Sequence, residues 1–112
     1  MTDYEEVVKG RIVAKQTGAP VVGAVVEVYD KDLLLDDYLG TATTDNDGRF
    51  QVDFTWSEYR DGPFEGRPDI FLTVRNPSTG KTTKSRVYEE LSGELADDDS
   101  VEVMDLGDVP VS

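Results

Sequence analysis

The chain contains neither cysteine nor histidine. Without thiols there is no disulfide framework and no thiolate metal site, and the redox compartment is left open. Without imidazole the usual general base near neutral pH is missing. So are the Ser-His and Cys-His nucleophile pairs and any His-ligated zinc or iron. Positive charge is scarce as well: 11 Lys and Arg stand against 24 Asp and Glu, a formal net charge of −13 over 112 residues. Such a surface repels phosphate backbones and anionic lipid, which excludes nucleic acid and membranes as partners. No apolar run approaches the roughly 20 residues of a membrane span. The opening Met-Thr-Asp-Tyr-Glu-Glu has neither the basic nor the apolar segment of a signal peptide. A soluble, cytoplasmic chain is the expectation, with a leaderless export route left open. Acidity of this degree also marks proteins of salt-rich cytoplasm, where charge is a solvation device, but here the acids are clustered.

What is present is two-residue periodicity. Ala24, Val26 and Val28 alternate with Val25, Glu27 and Tyr29, and Phe50, Val52 and Phe54 alternate with Arg49, Gln51 and Asp53. Each run reads as a half-buried strand rich in β-branched or aromatic residues. Strands are expected over 6–13, 22–30, 38–44, 49–55, 69–75, 82–88 and 101–106. The segment 82–88 is polar enough for a sheet edge. Asp45-Asn46-Asp47-Gly48 carries hairpin chemistry, since Asn, Asp and Gly accept positive φ. Gly62, Pro63, Gly66 and Pro68 confine residues 56–68 to a loop with at most one helical turn. Short strands with turns every 8–12 residues predict one domain over residues 1–112, an all-β, seven- to eight-stranded antiparallel Greek-key β-sandwich.

If successive strands reverse direction, the connections 30–37, 56–69 and 89–99 share one end of the sandwich. These are the acid-rich segments. Within the first, Asp30, Asp32, Asp36 and Asp37 have the spacing of loop carboxylates that converge on Ca²⁺, which takes about six to eight oxygen ligands. Calcium is therefore the expected cofactor and these four the expected ligands, unless they cap turn amides and are otherwise solvated. Leu33-Leu34-Leu35 either pack beneath the loop or contact a partner, with packing the expectation. Trp56, Tyr59 and Phe64 either form an aromatic patch for a glycan or protein partner or fold back to plug the open end.

The segments Gly10-Arg11-Ile12-Val13, Thr17-Gly18-Ala19-Pro20-Val21-Val22-Gly23-Ala24, Val26-Glu27-Val28-Tyr29-Asp30-Lys31-Asp32, Asp36-Asp37-Tyr38-Leu39-Gly40 and Thr44-Asp45-Asn46-Asp47-Gly48-Arg49-Phe50, with the later Gly66-Arg67-Pro68-Asp69-Ile70 to Arg75, resemble the transthyretin-like (prealbumin-like) sandwich family and the carboxypeptidase regulatory-like domains. The resemblance implies a binding, adaptor or stabilising module. One branch of that family hydrolyses 5-hydroxyisourate with His and Arg residues and a Tyr-Arg-Gly-Ser C-terminus. This chain has no His and ends Asp-Val-Pro-Val-Ser, so that activity does not carry over. The expectation is a non-enzymatic accessory module whose acidic end binds calcium or a basic protein partner. A structural domain pairing as a homodimer through an edge strand is the alternative, and a small hydrolase the remote one.

Overall fold

In the computed structural model the described residues are 3–31, 35–57, 69–89, 94–95 and 101–112. They contain eight strands and no helix: β1 (Asp3–Ala14), β2 (Val25–Asp30), β3 (Asp37–Thr43), β4 (Arg49–Ser57), β5 (Ile70–Arg75), β6 (Thr82–Lys84), β7 (Glu94–Leu95) and β8 (Val101–Val111). The strands form two four-stranded sheets, ordered β4-β1-β8-β7 and β3-β2-β5-β6. Among the described residues no helix is long and apolar enough to cross a membrane.

The alternation seen in the sequence becomes the inner face. Val8 and Ile12 of β1, Val26 and Val28 of β2, Phe50 and Val52 of β4, Ile70, Leu72 and Val74 of β5, and Met104 and Val109 of β8 are buried in one cluster between the sheets. Full burial of each aliphatic side chain contributes about 1.5–3 kcal/mol, so these rows hold the two layers together. The 45–48 hairpin forms as its residues require. The Asp45 carboxylate accepts the amides of Asp47 and Arg49, both at 2.9 Å, and Gly48 adopts φ 78°. A Cβ at Gly48 would lie 2.6 Å from the Ile12 carbonyl oxygen.

Two expectations are corrected here. The sandwich is not antiparallel throughout, because β1 and β8 pair in parallel at the centre of their sheet. Strict alternation along eight strands would set the first and eighth antiparallel, so the parallel β1–β8 ladder requires that the alternation break along the chain. The last strand also runs past its expected end at residue 106 to Val111. Gly107, at φ 68°, sits where the β1–β8 register shifts between Lys9 and Arg11. This bulge carries the chain past the Gly-Asp-Val-Pro sequence that reads locally as a terminator.

Candidate functional site

The described ends of three connections meet at one end of the sandwich. Asp30 pairs with Asp37 on one side and Ile70 on the other. The Lys31 amide donates to the Asp69 carbonyl at 2.8 Å, and Ile70 and Tyr88 exchange two backbone hydrogen bonds. Here Asp30 is only 8% exposed, since it shares the inward face of Val26 and Val28. Its Oδ1 accepts the Asp69 amide at 3.2 Å. It therefore tethers the end of β2 to the start of β5.

Two further carboxylates turn inward at this end, and the sequence reading passed over both. Glu6 has the parity of Val8, and Glu102 that of Met104, and the two are direct partners across the parallel ladder. Glu6 is buried, and one carboxylate oxygen of each residue is shielded from solvent. Extending the alternation of β1 backward by two residues would have flagged Glu6. Glu102 becomes visible only once β8 is known to lie beside β1.

Around the corner, on the outer face of the β3-β2-β5-β6 sheet, aromatic side chains form a row. Tyr29 stacks on Phe71 with ring centroids 5.2 Å apart and planes 9° from parallel. Tyr38 meets Tyr29 edge-on at 5.7 Å and 64°. Ladder register produces this row, because Tyr29 is the direct partner of both Tyr38 and Phe71. At the far side of the row the Lys84 ammonium lies 4.5 Å from the Phe71 centroid. Phe71 is covered, whereas Tyr38 is 54% exposed. Partial burial, and then the charges of Glu27, Tyr38 and Asp36, hold the Tyr29 phenol above its ordinary value of 10.0. The accessible part of the row is thus an aromatic corner, two phenols at a wide angle, beside hydrogen-bond acceptors.

Of the expected metal ligands, Asp30 is engaged as a tether, Asp37 is half-buried at the start of β3, Asp36 is exposed, and Asp32 lies outside the described residues. Among the described residues no three His, Cys, Asp or Glu side chains converge as a metal site. Leu35 is not packed beneath the loop but 79% exposed; Leu33 and Leu34 lie outside the described residues. The backbone of Trp56 belongs to β4, in register with Tyr4. Tyr59 and Phe64 also lie outside the described residues.

No protein-family model matches the chain, and no curated protein matches it in sequence. Solved structures do match. The chain is similar to the dioxygenase domain of a dioxygenase carbohydrate-binding protein fusion from Streptomyces sp. SirexAA-E, with TM-score 0.61, 16% identity, and coverage of 97% of this chain and 81% of that one. It is similar to chlorocatechol 1,2-dioxygenase from Pseudomonas putida, with TM-score 0.59, 18% identity and coverage of 97% and 61%. It is also similar to a 9R-lipoxygenase from Cyanothece PCC8801, with TM-score 0.57, 26% identity and coverage of 94% and 16%. The chain thus spans about one-sixth of the lipoxygenase, and under two-thirds of the chlorocatechol enzyme.

These likenesses show the fold, and they correct three expectations. A non-enzymatic accessory module was expected from the resemblance to a sandwich class of mostly non-catalytic domains, and calcium or a basic partner from the spacing and clustering of its loop carboxylates. The chains that share this architecture are instead dioxygenases and a lipoxygenase. The matching folds are therefore those of enzymes, and the expectation of a non-enzyme is corrected by them. Calcium is corrected by the same finding, since oxygenases of the non-haem class work with iron. Iron does not fit the residues present either. The usual site takes two imidazoles and a carboxylate, and this chain has no His.

Proposed function

We propose that the chain is the sandwich of a dioxygenase-type protein and that it binds a planar phenolic ring of the catechol class at the Tyr29–Tyr38 corner. The observation that carries this reading is that the dioxygenase likenesses extend over 97–100% of the chain. The outer face of the β3-β2-β5-β6 sheet supports it. A flat ring stacks in offset or edge-to-face geometry on an accessible phenol, a contact worth about 0.5–1.5 kcal/mol beyond the area it buries. The hydroxyls of a catechol are donors, and Asp36 and Glu27, whose charges reach Tyr29, are acceptors. With no imidazole, the residues of this chain bind and orient the ring. They do not build a two-histidine iron site.

The finer assignment to a Greek-key, transthyretin-like sandwich belongs to the same reading. It is supported by successive strands crossing between the sheets, β1 to β2, β3 to β4 and β4 to β5, the habit of Greek-key sandwiches. The test of ring binding is a titration with catechol and 4-chlorocatechol followed by tyrosine fluorescence, with cyclohexane-1,2-diol as the non-aromatic comparator. Catechol should quench saturably and the saturated diol should not. Equal response to both, or none to catechol, would remove the reading.

A further inference from the structure

We propose that the outer face of the β4-β1-β8-β7 sheet, on the side away from the aromatic row, carries a second binding site for a small hydroxylated monocarboxylate. A cleft of about 700 Å³ opens there, lined by β1, β4 and β8 and by the ends of β3 and the 45–48 hairpin. Register sets its chemistry. Arg49, Arg11 and Asp108 form one row across β4, β1 and β8, and Gln51, Lys9 and Asp105 form the next. Donors therefore occupy β4 and β1, and acceptors occupy β8.

Three of the 11 basic residues of a chain with net charge −13 converge on this cleft. Arg11 and Arg49 are direct cross-strand partners, an arrangement that is unfavourable for like charges unless an anion lies between them. Arg11 is partly engaged: its Nη1 lies 3.5 Å from Asp108 Oδ2, and its Nε donates to the Asp47 carbonyl at 3.1 Å. Arg49 is exposed, and among the described residues its guanidinium is in no ion pair. A guanidinium offers a planar fork of donors that matches a carboxylate in a bidentate pair. An ammonium beside it, as on Lys9, adds a second contact.

The acceptor column selects among anions. Two strand spacings, about 10 Å, separate β4 from β8. A dianion long enough to reach across would meet Asp105 and Asp108 with like charge. A neutral sugar would leave the arginines unused, and acetate would leave the aspartates unused. A chain of hydroxyls ending in one carboxylate serves both columns, its acid on Arg49 and Lys9 and its hydroxyls donating to Asp105 and Asp108. The cleft is on the opposite sheet from the phenolic-ring corner, so the two readings stand or fall separately.

Calorimetric titration of the whole chain with gluconate, at low ionic strength, tests this, with acetate and glucose as comparators. Gluconate should bind at least tenfold more tightly than either. Arg49→Gln, at an exposed position, should weaken gluconate at least tenfold while leaving the melting temperature and catechol quenching unchanged. Asp105→Asn should reduce the preference for gluconate over acetate. Absence of gluconate binding, binding no tighter than acetate, or an Arg49→Gln variant that binds as the parent does would each overturn the proposal.

Discussion

The two ends of the sandwich bury polar groups of different kinds. At the end holding the 45–48 hairpin the buried side chains are neutral and bonded to nearby backbone. Thr44 donates its hydroxyl to the Val21 carbonyl at 2.6 Å and accepts the Ala24 amide at 2.8 Å. Asn76 accepts the Ser78 amide at 2.9 Å. At the opposite end the buried or inward groups are carboxylates, Asp30, Glu6 and Glu102. A buried neutral group costs little once it is hydrogen-bonded, whereas a buried charge remains expensive to hold away from water. The hairpin end is therefore specified by backbone geometry, and the carboxylate end by electrostatics.

The sharpest way to break that contrast is Gly48→Ala. The side chain would force a residue at φ 78° and a Cβ 2.6 Å from the Ile12 carbonyl oxygen. We expect a loss of about 3 kcal/mol. In a domain of this size that lowers Tm by about 12 °C or more in a thermal melt. Thr44→Val, which keeps the shape and removes both hydrogen bonds, should cost about 2 kcal/mol.

At the carboxylate end, Asp30→Ala removes an acceptor from a charge-assisted bond to the Asp69 amide and should cost about 1.5–2 kcal/mol. Asp30→Asn retains an acceptor oxygen and should recover most of that loss in the same denaturation series. If Asn proves as costly as Ala, the charge and not the hydrogen bond holds the β2 end in place. On the neighbouring face, Tyr38→Ala should leave stability within about 0.5 kcal/mol, as for an exposed residue. It should weaken catechol binding up to about tenfold, the equivalent of about 1.4 kcal/mol.

The smallest effect concerns Tyr29. Its phenol is held above 10.0, so the folded state keeps this proton more tightly than the unfolded chain does. The stability linked to it is complete below pH 10 and is lost as pH rises through the raised value. Melts from pH 9 to pH 12 should show a shallower alkaline decline for Tyr29→Phe than for the parent, with the two alike at pH 7.

Much of the body of the sandwich was legible from local pattern. The strands expected over 49–55 and 69–75 appear as Arg49–Ser57 and Ile70–Arg75, and the polar segment after residue 81 does lie at a sheet edge. The candidate site was less legible. Asp30 was noticed for its charge, but its burial follows from its parity with Val28, and its bond to Asp69 spans 39 residues. The aromatic row was missed because Tyr29, Tyr38 and Phe71 are far apart in sequence and meet only through ladder register.

Side-chain alternation is a property of adjacent residues, so the amino-acid sequence alone determined where the chain extends, where it turns and which residues of each strand share a face. Which strand lies beside which is a matter of long-range pairing, and nothing local encodes it. Tertiary structure therefore decided the parallel β1–β8 ladder, the facing of Glu6 and Glu102, the Tyr38–Tyr29–Phe71 row and the donor and acceptor columns of the Arg11–Arg49 cleft. Each arises because strands about 4.8 Å apart bring residues distant in sequence into direct contact.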